Sequence, residues 1–148
     1  MLTIRHASSD DRIVAQIEIV SIGNKSSSLA LRTFVEKAAR TLYDSVHLLV
    51  VDLQQPTPRD PHGIHDVIWR ELGGDEPEWS NQKPLTLSAY RASPEFKAFV
   101  QPVAIGDPLP DMPLFLTAEV YVPVPLESTY ISAYRGVPQR WKDVLEAP

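Results

Sequence analysis

Three stretches decide the fold: Ile13-Val14-Ala15-Gln16-Ile17-Glu18-Ile19-Val20, the segment Ser28 to Tyr43, and Val46-His47-Leu48-Leu49-Val50-Val51-Asp52-Leu53. The first is rich in β-branched residues and alternates at its end, which predicts a strand. Ile13, Ala15, Ile17 and Ile19 share one face, and Val14, Gln16, Glu18 and Val20 share the other. Glu18 is thus a carboxylate in a strand otherwise fit for burial. From Ser28 to Tyr43, Leu31, Phe34, Val35, Ala38 and Leu42 form one apolar stripe at helical spacing. One of Ser26, Ser27 or Ser28 caps this helix. Arg32, Glu36, Lys37 and Arg40 lie mostly off the stripe. The third stretch is almost continuously apolar, as expected of a strand buried on both faces. Strand, helix and strand at this spacing predict a right-handed crossover, with the Glu18 and Asp52 strands as parallel neighbours.

Outward from this unit, Leu2 to His6 alternates, and Ser8-Ser9-Asp10-Asp11 is turn chemistry, so the chain opens on a hairpin. Gly23-Asn24-Lys25-Ser26 reads as a turn. After a loop at Gln55 to Arg59, Asp60 and Pro61 read as the N-cap and first position of a short helix carrying Ile64, Val67, Ile68 and Leu72, closed by Gly73-Gly74. Asp75 to Lys83, around Trp79, reads as an exposed loop. Pro84 to Tyr90 and Phe96 to Ile105 read as paired strands with Ser93-Pro94 in the turn; Pro102 requires an edge or a bulge. Asp107 to Pro113 reads as an extended arm, continued by Tyr121 to Pro125. Leu126, Tyr130 and Tyr134 predict a helix closed by Gly136, and Pro138 to Leu145 a last one with Trp141, Val144 and Leu145 on one side. The expectation is an α/β (α+β) fold: a mixed sheet of about five strands with a crossover helix and a proline-rich arm. It forms one domain over residues 1–148, with a core over about 1–105 and the arm and short helices over about 106–148.

Composition narrows the function. The 148 residues carry a net charge of −5, which opposes a general nucleic-acid coat. The absence of cysteine removes disulfides, thiol nucleophiles and Cys-ligated metals. No apolar run approaches a membrane span, and nothing addresses the chain away from the cytoplasm. The 14 prolines are about twice the usual ~5% share and gather in the second half, against long helices there.

Several motifs read as ordinary structure. Gly23-Asn24-Lys25-Ser26 lacks the spacing of a nucleotide-binding loop, although a helix N-terminus beside it could hold an anion. His62 and His65 lack an evident third ligand and read as surface residues; His47 reads as a satisfied capping residue. No Gly-x-Ser-x-Gly elbow is present. The most informative set is Glu18, Lys25 and Asp52. Carboxylates from adjacent strands beside a lysine can hold Mg²⁺ and activate a water.

The stretch Ile17-Glu18-Ile19-Val20-Ser21-Ile22-Gly23-Asn24-Lys25 resembles the Ile-Glu-Val-Leu-Ser-Pro-x-Asn-Lys signature of the bacterial family called domain of unknown function 4058. Val46 to Leu53 resembles that family's Val-His-Leu-Val-Glu-Ile-Asp-Leu strand, and Gly106 to Leu114 its Asp-Pro-Leu-Pro arm. The resemblance covers about residues 2 to 135 and implies a restriction-endonuclease-like, PD-(D/E)XK core with divalent-metal nuclease ancestry. The nuclease pattern wants Glu-x-Lys on one strand, where this chain has Glu18 and Val20. It also wants an upstream acid, where this chain has Arg5 and His6, and Val50 stands in place of the family's glutamate. Lys25 or Lys37 would then stand in for the missing lysine.

Two functions follow. The first is a non-catalytic or degenerate nuclease-like domain serving as a binding or assembly module, with a homodimer as partner. The alternative is a divalent-metal nuclease acting on nucleic acid: Glu18 and Asp52 hold Mg²⁺ or Mn²⁺, Lys25 stabilises charge on a phosphate, and His6 is a further base or ligand. In the first, Glu18 pairs instead with Arg32, Lys37 or Arg40.

Overall fold

Alternation in the first residues produces strand β1 (Leu2–Arg5), paired antiparallel with β2 (Ile13–Ile19). After β2 the chain winds one helical turn, α1 (Ile22–Lys25), and then α2 (Ser28–Tyr43). In the computed structural model, residues 1–8, 11–75 and 82–145 are described. Part of the first turn and the segment around Trp79 lie outside them. Ser27 is the cap of α2, its side chain accepting from Ala30 N at 3.1 Å. The stripe Leu31, Phe34, Val35, Ala38 and Leu42 is buried as its spacing predicts.

The chain returns as β3 (His47–Asp52), buried at every position. It lies parallel to β2, with Glu18 opposite Val50 and Ile19 opposite Val51, so the expected neighbours are neighbours. Next comes α3 (Ile64–Glu71), then β4 (Leu85–Arg91), antiparallel to β3, and β5 (Lys97–Val103), antiparallel to β4. The sheet order is β1-β2-β3-β4-β5, with one parallel and three antiparallel pairings. Pro102 sits on the edge strand β5, where its missing N–H costs least.

Two expectations give way. Where a plain turn was expected over Gly23 to Ser26, Ile22–Lys25 winds into a helical turn with Ser26 as its C-cap; Ser21 N and Ser21 Oγ both donate to Asn24 Oδ1, at 2.8 and 2.9 Å, and hold its start. The helix expected to start at Asp60 starts at Ile64, capped by Gly63 at φ 82°, a left-handed conformation that suits glycine. Asp60 is instead drawn inward.

The proline-rich arm is also more regular than its composition suggests. Met112–Phe115 (β6) and Tyr121–Val124 (β7) form a hairpin. Pro113 and Pro123 stand opposite each other, so the ladder loses one position rather than two. Met112, Leu114 and Phe115 pack with Ala15, Leu49, Val51, Leu87 and Ala89 on one face of the sheet. The α2 stripe packs with Val20, Leu48, Val50, Ile64, Ile68 and Tyr90 on the other. The last helices are α4 (Leu126–Arg135), ending at Gly136 as expected, and α5 (Gln139–Leu145).

Candidate functional site

Glu18 and Asp52 lie on the same face of adjacent strands, since Glu18 is opposite Val50 and Asp52 is two residues further along β3. Both are buried. The structure gives each its own lysine. Lys37, one of the expected partners with Arg32 and Arg40, reaches down from α2 and places Nζ 2.6 Å from Glu18 Oε1. The contact is ionic; Oε1 is closed to solvent and makes no hydrogen bond.

Lys25 points from α1 into the body of the protein, with only 3% of its side chain exposed. Its Nζ donates to Asp52 Oδ2 at 2.7 Å and to the carbonyl of Gln54 at 3.2 Å. Asp60 Oδ2 stands 2.8 Å away, without hydrogen-bond geometry. Asp52 also accepts from Ile64 N and Gln54 N, each at 3.2 Å. Burial holds its carboxyl above the usual range, with the Lys25 contact pulling the other way. Asp60 accepts from Thr57 N at 2.9 Å and from the Thr57 hydroxyl. Two carboxylates and one ammonium are thus closed from water, with backbone N–H groups stabilising the excess negative charge.

A further polar group adjoins this cluster. The Thr86 and Ser88 hydroxyls are buried without hydrogen-bond partners, on β4 opposite Asp52 and Val50. His65 Nδ1 lies 2.7 Å from the Tyr90 hydroxyl, and burial pushes this histidine down to about 4. His65 is therefore an interior residue and not the surface one expected; the helical spacing that buries Ile64 and Ile68 carries it inward. His47 is buried and accepts from Ala92 N at 3.1 Å, in keeping with a satisfied cap. His6 stands beside Arg12, at the end of β2 away from Glu18, because Leu2 pairs with Ile17. The hairpin register removes it from the site.

Asp60 is the residue the sequence reading missed: flanked by Arg59 and Pro61, it has the signature of a helix cap. Among the described residues, no group of three His, Cys, Asp or Glu side chains is arranged to hold a metal. Glu18 and Lys37 do line a cavity of about 490 Å³, together with Asn24, Ser27, Thr33 and Phe34. Of the two ion-paired groups, the one that borders a cavity is Glu18 with Lys37, whereas Lys25 and Asp52 line none of the cavities among the described residues. No helix among the described residues is long and apolar enough to cross a membrane. Compared with protein families, curated proteins and solved structures, the chain finds no match.

Proposed function

We propose that this chain is a non-catalytic binding or assembly module on a restriction-endonuclease-like scaffold of the domain of unknown function 4058 type. The observation that carries this reading is the division of charges: Glu18 is neutralised by Lys37, and Asp52 shares Lys25 with Asp60. A lysine buried between two aspartates is closed to a phosphate, and its charge is already offset by theirs. Calorimetric titration with Mn²⁺ and Mg²⁺, alongside a plasmid-cleavage assay, tests it. The expected result is no metal heat and no cleavage, with Glu18→Gln lowering thermal stability only. Stoichiometric Mn²⁺ heat that Glu18→Gln abolishes overturns it.

One observation favours the nuclease alternative. Lys37 meets Glu18 on the wall of an open cavity, and under that alternative this lysine from the helix stands in for the one missing after Glu18. Under that reading Glu18 is a Mg²⁺ or Mn²⁺ ligand, Asp52 a second one, and Lys37 rather than Lys25 faces the phosphodiester.

The assembly part of the proposal is a homodimer. Helix α4 buries no residue, and Tyr130, Trp141 and Val144 are more than half exposed at 57%, 53% and 64%. Exposed apolar residues gathered at one end of a chain suit a second copy. Light scattering at high micromolar concentration checks this, and a monomer there removes the dimer.

A further inference from the structure

We propose that the outer edge of β5 pairs antiparallel with the same edge of a second copy, joining two sheets into one. The inference rests on the assembly reading and assigns it a contact other than the exposed helices.

Backbone groups alternate along a strand, so one hydrogen bond fixes which residues face which neighbour. Val20 N donates to the Val51 carbonyl at 2.9 Å, which turns the odd-numbered positions of β3 towards β2 and the even-numbered ones towards β4. With Val50 opposite Ser88 and Ala89 opposite Phe99, it is Phe99 and Gln101 that spend their groups on β4. Ala98, Val100 and Pro102 turn theirs outward. Gln101 Nε2 donates to the Pro102 carbonyl at 3.3 Å, as an outward carbonyl allows. Among the described residues, no other strand pairs with this edge. Phe99 and Val100 lie on its opposite faces, 38% and 37% exposed. An open ladder with apolar side chains on both faces is covered by another strand.

The donors point to a second copy and to its register. Pro102 offers no N–H, so a partner finds donors only at Ala98 and Val100. A two-fold axis at Phe99 sets Ala98 opposite Val100 of the second copy, and both donors and both carbonyls pair reciprocally, with Pro102 left outside. The small Ala98 then faces the exposed Val100, and Phe99 faces its own equivalent, an aromatic pair across strands. Lys97, the one charge of the strand, meets Gln101 rather than itself. On a chain of net charge −5, copies that join here bring no acid against acid. The other open edge, β1, has four residues and a register break between Ile4 and Arg5, which leaves a shorter ladder.

The test is sedimentation equilibrium of the full chain from low to high micromolar concentration, with amide exchange followed by NMR at both ends. Association is expected, with exchange at Ala98 and Val100 slowing as concentration rises. Val100→Pro deletes an N–H that β4 does not use, so the sheet should hold while association weakens at least about tenfold. Val100→Lys keeps the backbone and sets a charge against Ala98 of the second copy, so association should weaken likewise; circular dichroism checks the fold of both. Association unmoved by both variants, or exchange at Ala98 and Val100 that does not change with concentration, overturns the inference. A chain that is monomeric throughout overturns the assembly reading as well. Association lost in Trp141→Ser but kept in both Val100 variants overturns the inference alone.

Discussion

Lys25 Nζ and Asp52 Oδ2 stand 2.7 Å apart although the residues are separated by 27 positions in sequence, and both side chains are closed to solvent. The contact ties the turn after β2 to the end of β3. Asp60 joins the same ammonium, so the segment leaving β3 is held on a buried charge rather than on apolar packing.

Lys25→Met should therefore cost about 3–5 kcal/mol, since it leaves two carboxylates buried without a cation. Adding Asp52→Asn to Lys25→Met should restore part of that loss, because one of the two charges is removed. Urea unfolding of the two single variants and the double one measures the coupling. A loss under about 1 kcal/mol in Lys25→Met would show that water reaches the cluster.

The Glu18–Lys37 pair should respond unequally to its two substitutions. Lys37→Met leaves a buried carboxylate alone and should cost about 2 kcal/mol or more. Glu18→Gln leaves a half-exposed ammonium that water can solvate, and about 1 kcal/mol is expected. Thermal unfolding of both decides it, and the reverse order would place Glu18 in contact with solvent.

Acid should weaken the fold before the carboxylates titrate. Burial pushes His65 down to about 4, and burial with Arg91 nearby lowers His47 as well. The folded protein keeps these rings neutral while the unfolded chain takes up protons below about 6.5. The unfolded state then binds more protons, so stability falls as pH drops from about 6.5 towards 4, by up to about 3 kcal/mol for His65. Asp52 opposes this at the acid end, because its raised carboxyl takes a proton in the folded state first. Urea midpoints at about pH 7.5 and about pH 5 should differ, and His65→Gln should flatten the difference. An unchanged slope in His65→Gln would assign the effect to other groups.

The arm should behave as part of the core. Leu114 is 3% exposed and packs on the sheet. Leu114→Ala should cost about 2–5 kcal/mol, the range for a large apolar side chain lost from an interior. A cost under about 1 kcal/mol, measured by chemical unfolding, would mean that the hairpin rides on the surface.

The sequence by itself determined the central unit. Periods of two and of 3.6 residues report which faces are buried, and that information is local, so Ser28 to Tyr43 emerged with its observed bounds and the Glu18 and Asp52 strands as parallel neighbours. The carboxylate on β2 was legible too, with Lys37 among its possible partners, although the strand around it is mostly half-buried and Ile19 is exposed. Only the tertiary structure decided which cation meets which acid. Lys25 lies seven positions from Glu18 yet turns to Asp52 and Asp60, because the helical turn closed by Ser21 and Asn24 aims it across β3. Asp60 and His65 were misread for the same reason: a side chain's local pattern says where a helix can start, while its burial depends on segments far along the chain. The hairpin of Met112 to Val124 was hidden by its prolines, which forbid a ladder locally but stand opposite each other once two strands are paired.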